Sequence, residues 1–517
     1  MSQINVSNLT FAYEGSYDNI FEDVSFRIDT DWKLGFTGRN GKGKTTFLNL
    51  LQGKFEYSGT ISASVKFQYF PHHVSDKTQI TAAIVEEICP NYPDWQLLRE
   101  LSLLDVDPDV LTRPFQTLSN GEQTKVLLAA LFLGENNFLL IDEPTNHLDM
   151  NGRKIVSDYL NGKTGFILVS HDRAFLDGCV THILSINKAN IEVRRGNFTS
   201  WWENKKLQDE FELAENEKLK KDIKRLTAAA KRSERWSDKL EGTKIGTHAY
   251  DRGAIGTQAA RMMKRAKHIE GRRNDAIEEK SALLKNLDHA SDLKITQLPY
   301  HKPRLLSLSD VSVFYGNEAA MPLPEGSVAG LCPAERRGLG QSPIGIKCVC
   351  QNISFDISQA DRIALLGKNG SGKSSILKLI CGEEITFSGE LSIGSGLKIS
   401  YVSQDTSHLS GNLTDYARQY NIDESLFKAI LRKLDFLRVQ FEKDMRDFSS
   451  GQKKKVLIAR SLCEKAHLLV WDEPLNFIDV LSRMQIEQLL LEYKPTILFV
   501  EHDSVFCDAI ATRVVQL

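Results

Sequence analysis

Two stretches of this chain carry the residue types and spacing needed to hold a nucleoside triphosphate. Gly38-Arg39-Asn40-Gly41-Lys42-Gly43-Lys44-Thr45 recurs as Gly367-Lys368-Asn369-Gly370-Ser371-Gly372-Lys373-Ser374, an offset of 329 residues. The glycines let backbone N–H groups close on phosphate oxygens, and a helix starting there adds partial positive charge. Lys44 and Lys373 are placed to meet the β and γ phosphates, and Thr45 and Ser374 to hold Mg²⁺. Thr46 and Ser375 follow in the same cradles.

Two acids and a histidine recur in the same order. The apolar run 138–141 ends in Asp142-Glu143, and the run 468–471 ends in Asp472-Glu473. An acid at the end of a buried strand is costly unless it serves a cation, so Asp142 and Asp472 are read as Mg²⁺ supports. Glu143 and Glu473 are placed to polarise a water as general bases. His171 and His502 close further apolar strands, 29 residues after Asp142 and 30 after Asp472, and are assigned to sensing the γ-phosphate. Several elements repeated in order at one offset make an internal repeat rather than a chance match.

These loops must sit at the carboxyl ends of buried strands, each followed by a helix, which predicts an α/β fold with two phosphate-loop domains. Domain 1 is expected over 1–200 and domain 2 over 301–517, with a Pro/Gly-rich insertion at about 317–347. Between them, apolar positions spaced three or four apart predict two antiparallel helices over 201–300. The glycines of 242–256 place the tip of this hairpin at about 241–258. Within 218–273 there are 17 Lys and Arg against 6 acids, on a chain whose formal net charge is −2. Lys231, Arg232, Arg235, Arg261, Lys264, Arg265 and Lys267 belong to this excess, the electrostatic footprint of a phosphate-backbone partner.

Composition narrows the setting. No run approaches the roughly 20 apolar residues of a membrane span, and the N-terminus lacks a signal-peptide core. The eight cysteines form no CxxC pair, so Cys332, Cys348 and Cys350 are read as reduced thiols before a metal site. A cytoplasmic protein with no membrane partner is expected.

Leu118-Ser119-Asn120-Gly121-Glu122 and Phe448-Ser449-Ser450-Gly451-Gln452 make the chain resemble the ATP-binding cassette (ABC) superfamily, whose signature reads close to LSGGQ. The resemblance implies that Ser119, Gly121 and Glu122 cap the ATP held by the second cassette. Ser449, Gly451 and Gln452 would cap that of the first. A monomer would then close its own two cassettes on two nucleotides. Tyr13 and Tyr315 are the expected adenine-stacking aromatics. Gln404 is the expected sensor of Mg²⁺ and water in the second half, and His72 stands at that position in the first.

The phrase from Asp142 to Asp149, Asp-Glu-Pro-Thr-Asn-His-Leu-Asp, looks like the ABC-F class. The divergent phrase Trp471-Asp472-Glu473-Pro474-Leu475-Asn476-Phe477-Ile478-Asp479 and the run Met262-Met263-Lys264-Arg265-Ala266-Lys267-His268 resemble the Lsa and Vga type of ABC-F resistance proteins. This resemblance implies an ATPase that binds the bacterial 70S ribosome at its tRNA exit site. The linker would contact 23S rRNA and P-site tRNA, and lincosamides, streptogramin A and pleuromutilins would leave the peptidyl transferase centre. Ending at Leu517, the chain is expected to lack the C-terminal extension of some ABC-F proteins. Three other readings stay open. One is a housekeeping ABC-F translation factor, and another is the energising subunit of a drug exporter. The third is a DNA-repair ATPase, although those carry their coiled coil inside a cassette.

Overall fold

The computed structural model describes residues 2–208 apart from 14–18, 135, 147 and 188–189. It also describes scattered positions at 210–224, and residues 297–315, 347–436 and 438–517. Residues Met1–Thr199 and Asp292–Leu517 form one compact unit, and Ser200–Ser291 form a second. The predicted hairpin lies outside the described residues beyond its helical start, as do its tip, Lys231, Arg232, Arg235, Arg261, Lys264, Arg265, Lys267 and insertion residues 317–346.

In the first half, β1 (Gln3–Phe11), β2 (Phe21–Asp29) and β4 (Ser58–Ser62) form an antiparallel sheet, with β1 between the other two. The strands β3 (Lys33–Thr37), β5 (Lys66–Phe70), β6 (Asn137–Asp142), β7 (Phe166–Val169), β8 (His182–Asn187) and β9 (Asn190–Arg195) form a second sheet. Its order is β5-β6-β7-β3-β8-β9. All its pairings are parallel except β8 with β9.

The second half repeats the plan. Strands β10 (Arg304–Tyr315), β11 (Lys347–Ser358) and β13 (Thr386–Ile393) make the antiparallel sheet. The parallel sheet holds β12 (Arg362–Leu366), β14 (Ile399–Val402), β15 (Leu468–Asp472), β16 (Ile497–Val500) and β17 (Arg513–Gln516), in the order β14-β15-β16-β12-β17.

Residues 138–141 and 468–471 are buried on both faces, as the central strands of a covered parallel sheet must be. Successive side chains enter different cores. Val470 packs with Ile363, Ile376 and Leu498, whereas Leu469 and Trp471 pack with the helical layer that includes Phe427, Val456 and Phe506. Because Phe36 pairs with Val169 and Ile141 with Leu168, three adjacent parallel strands end together. The phosphate loop, the acids and the histidine loop therefore emerge on one edge.

The second cassette begins before residue 301. Gln297 donates its amide to the carbonyls of His467 and Thr496, both at 3.1 Å, and Tyr300 is buried.

Candidate functional site

Both phosphate loops are held by glycine conformations that a side chain would strain. Gly43 and Gly372 precede the helices Lys44–Leu51 and Lys373–Ile380 with φ of 92° and 91°. A Cβ on Gly43 would lie 2.5 Å from Ile20. The buried ammonium of Lys44 donates to the carbonyls of Gly38 at 2.6 Å and Arg39 at 3.3 Å. That of Lys373 donates to Gly367 at 2.9 Å and Lys368 at 2.8 Å. Burial lowers the pKa of both lysines, and the neighbouring carboxylates oppose the shift. A buried cation above a ring of N–H groups suits a phosphate chain.

The hydroxyl of Thr45 donates to Asp142 at 3.2 Å, and that of Ser374 donates to Asp472 at 3.1 Å. Burial pushes both carboxyls up. A hydroxyl and a carboxylate that gains from a counter-charge are a donor set suited to Mg²⁺. Tyr69 and Tyr401 sit beside the two aspartates, and the Tyr69 hydroxyl donates to Asp142 at 2.9 Å.

The two glutamates stand in strained backbone, with φ of 52° at Glu143 and 46° at Glu473. Non-glycine residues rarely occupy this region, and such strain persists where the surroundings over-determine it. The surroundings differ between the halves. His171 Nε2 lies 3.1 Å from Glu143 Oε1. Burial and the Asp142 charge push Glu143 up to about 8, and burial and the Lys44 charge hold His171 well below its ordinary value. At Glu473, burial alone would act the same way, but His502, Asn476 and Lys454 together hold the carboxyl below its ordinary value. Gln404 Nε2 donates to Glu473 Oε2 at 2.9 Å and Asn476 Nδ2 to the same oxygen at 2.6 Å, while His502 Nε2 lies 3.5 Å from Oε1.

The cassettes complete each other's sites. A cavity of about 460 Å³ is lined by Asn40, Gly41, Lys44, Thr45, Asp142, Glu143 and His171 of the first cassette, and by Ser449, Ser450, Gly451 and Phe477 of the second. A cavity of about 660 Å³ is lined by Asn369, Gly370, Gly372, Lys373, Ser374, Ser375, Gln404, Glu473 and His502 of the second. The first contributes Ser119, Gly121, Glu122, Asp149 and Arg153 to it. Ser119 and Ser449 are N-caps of the helices Asn120–Phe132 and Ser450–Cys463, each in a capping box. Glu122 and Gln452, expected to reach the nucleotide, accept the N–H of Ser119 at 2.7 Å and Ser449 at 3.0 Å, and Glu122 also lines the second cavity. Each serine hydroxyl accepts from the third residue of its helix, which leaves its own O–H to donate outward.

Some predicted residues stand back from the cavities. His72 does not line the first one, where Pro71 does. The Tyr13 hydroxyl is 2.8 Å from that of Thr46, and the Tyr315 hydroxyl donates to Ser375 at 3.1 Å. Both rings are exposed and neither lines either of these two cavities. Gly38 and Gly367 serve through the carbonyls that hold the lysines.

Sequence reasoning missed the residues that join the halves. Asn40 Nδ2 donates to the carbonyl of Phe477 at 2.8 Å, and Arg39 pairs with Asp435 at 2.8 Å. Arg153 bridges Asp172 at 2.9 Å and the carbonyl of His502 at 3.2 Å, and Arg173 pairs with Glu487. Arg483 pairs with Asp503 at 3.3 Å, as Arg153 does with Asp172. The repeat itself held a signal for this pair, since an arginine stands four residues after both Asp149 and Asp479.

A family model described as "ABC transporter" matches residues 21–146 and 350–476. The chain is 26% identical to the Bacillus subtilis uncharacterized ABC transporter ATP-binding protein YkpA, covering 100% of this chain and 94% of that protein. It is also 26% identical to the Bacillus subtilis ribosome protection protein VmlR, over 96% of this chain and 84% of the relative. The ATP-binding protein Uup of Caulobacter vibrioides is 26% identical over 96% of this chain and 74% of its own length. Among solved structures, the archaeal ribosome recycling factor aABCE1, in complex with the ribosomal stalk protein aP1, superposes with a TM-score of 0.59. The match covers 98% of this chain and 87% of that one at 16% identity, which speaks to the fold alone. No described helix is long and apolar enough to cross a membrane.

Proposed function

We propose that this chain, an ATPase carrying two ABC cassettes of the ABC-F type on one polypeptide, binds the bacterial ribosome and protects it from antibiotics of the peptidyl transferase centre. The observation that carries this reading is that each cavity is walled by both cassettes of a single chain. Closure on ATP then needs no second ABC subunit. Its mechanical output goes to whatever joins the halves, a segment with 17 Lys and Arg against 6 acids over 218–273. Such a segment suits an RNA backbone better than a membrane domain. The similarity to VmlR, itself a ribosome protection protein, over 96% of this chain supports the same partner.

Lys44 and Lys373 hold the β and γ phosphates, and Ser449 and Ser119 donate to the γ-phosphate from the opposite cassette. Thr45 with Asp142, and Ser374 with Asp472 and Gln404, hold Mg²⁺. When bound, this ion neutralises charge developing on the phosphates. Glu143 and Glu473 orient and polarise water, and His171 and His502 fix the carboxylates they face. ATP binding favours the closed pair, and loss of the γ-phosphate removes the charge that the two signature serines address.

The hairpin is proposed to enter the tRNA exit site, where Lys231, Arg232, Arg235, Arg261, Lys264, Arg265 and Lys267 meet 23S rRNA and P-site tRNA. Its tip would displace lincosamides, streptogramin A and pleuromutilins. The test is expression in a susceptible Gram-positive host, with inhibitory concentrations measured across drug classes and ribosome co-sedimentation with ATP. Raised inhibitory concentrations for these three classes are expected. Co-sedimentation without any change in drug susceptibility would favour a housekeeping translation factor instead. Lack of ribosome binding would overturn both.

A further inference from the structure

Behind the acids the two cassettes differ at two positions at once. Thr124 and Ser170 of the first correspond to Lys454 and Glu501 of the second, each counted from the signature serine or the histidine. A pair of hydroxyls has been exchanged for a pair of charges.

Lys454 is 1% exposed and is one of the residues lining the second cavity. It donates to the carbonyls of Ser403 at 2.9 Å, Glu473 at 3.1 Å and Asp472 at 3.4 Å. An ammonium has three N–H donors, so all three are spent here. The three carbonyls come from two loops, one leading into Gln404 and the other carrying the two acids. Glu501, also buried, accepts the N–H of Leu475 at 2.7 Å and that of His502 at 3.1 Å. It thereby joins the turn after the acids to the histidine loop. Burial lowers the Lys454 pKa, and the nearby carboxylates of Glu501, Asp472, Glu473 and Asp405 together oppose the shift. A buried lysine needs such surrounding carboxylates to remain ionised. In the first cassette the hydroxyls of Thr145 and Ser170 lie 3.4 Å apart and Pro71 takes the position of Ser403, so this layer holds no charge pair.

The Glu473 carboxylate takes its partners Gln404, Asn476 and His502 from three separate loops. Their alignment depends on the backbones that carry them. We propose that Lys454 and Glu501 are positioning residues that, through their hydrogen bonds to backbone, lock the Gln404, Glu473 and His502 loops into one unit and preorganise the second site for hydrolysis. Hydrogen bonds from an ionised donor are about twice as strong as neutral ones, and loss of a charged clamp loosens a site that must be held to a fraction of an ångström. The proposal rests on the ATPase chemistry alone, so the ribosomal reading can fail without touching it.

The experiment uses the full-length chain in the Glu143→Gln background, so that turnover reports the second site. Lys454→Thr, Lys454→Arg and the double variant Lys454→Thr with Glu501→Ser are compared in kcat, KM for ATP and Tm. Lys454→Thr is expected to lower kcat about thirtyfold with KM changed less than about threefold, the pattern of a lost preorganising contact. Lys454→Arg, which keeps a charged donor, is expected to recover most of kcat. The double variant removes the unpaired buried acid and is expected to regain Tm without regaining kcat. The proposal is overturned if Lys454→Thr keeps kcat within about twofold, or if KM rises in step with the fall in kcat. Recovery of kcat together with Tm in the double variant would also overturn it, because Lys454 would then serve folding alone. If the single variant does not fold, the double variant gives the same reading.

Discussion

The side-chain amide of Asn40 donates to the carbonyl of Phe477 at 2.8 Å, tying the first phosphate loop to the turn that follows the acids of the other cassette. Gly451 of the second signature packs into the same junction. A Cβ there would lie 2.3 Å from the Phe477 carbonyl oxygen and 3.1 Å from Asn40 Nδ2. Three segments drawn from both cassettes therefore meet beside the first cavity, with no room for a methyl group on Gly451.

Gly451→Ala should accordingly weaken closure at the first site while leaving the phosphate loop that binds the nucleotide intact. Steady-state turnover in the Glu473→Gln background, which reports the first site, is expected to fall about tenfold, equivalent to about 1.4 kcal/mol of activation free energy. Affinity for ATP in an open-state binding assay should change little. Unaltered turnover would mean that the junction relaxes without cost.

Removing both bases should separate binding from hydrolysis. Glu143→Gln with Glu473→Gln keeps side-chain size and hydrogen bonding but cannot accept a proton, so ATP should bind and stay. We expect turnover reduced at least about a hundredfold, as for loss of a general base, and cassettes trapped closed on ribosomes in a pull-down. Wild-type turnover would remove both glutamates from the catalytic role. Of the single variants, Glu473→Gln should cost more than Glu143→Gln, because Glu473 receives Gln404, whereas His72, which stands at that position in the first cassette, does not line the first cavity. Equal losses would refute the inequality.

The inequality has a pH signature. Glu143 is pushed up to about 8, chiefly by burial and then by Asp142, whereas Glu473 is held below its ordinary value. A general base works only when deprotonated, so a raised pKa leaves the first site mostly inactive at neutral pH and activates it as pH rises. A group titrating near 8 is about one-tenth ionised at pH 7 and about nine-tenths at pH 9. Turnover in the Glu473→Gln background should therefore rise about tenfold between pH 7 and 9. In the Glu143→Gln background it should stay level over that range. A level profile for both would place the difference elsewhere.

The fold was largely legible because glycine loops, terminal acids and apolar runs are local features. A parallel sheet must deliver such loops to one edge, and residues 138–141 and 468–471 announced strands buried on both faces. The joining contacts were not legible, because Asn40–Phe477 and Arg153–His502 depend on which segments meet across the two cassettes. The capping role of Glu122 and Gln452 was also legible, since a Ser followed three residues later by Glu or Gln is a helix cap. His72 stands at the Gln404 position by count along the strand, while in the structure its neighbour Pro71 lines the cavity.

The linker can be tested independently of the nucleotide sites. If Lys264, Arg265 and Lys267 grip RNA phosphates, replacing all three by Glu should weaken ribosome binding and flatten its salt dependence. Each lost phosphate contact lowers the slope of log K against log salt by roughly 0.7–0.9. If the tip acts at the drug site, shortening 242–256 should abolish protection while ATP binding and the basal turnover of the cassettes survive. The two segments differ in what they would supply, charge for docking in one and reach toward the drug in the other. The triple charge reversal should therefore lower ribosome occupancy, whereas the shortened tip should keep occupancy and lose resistance. Inhibitory concentrations, ribosome occupancy and ATP affinity measured on the same shortened chain decide the matter. Resistance that survives the shortening would make the tip a connector and move the protective contact elsewhere.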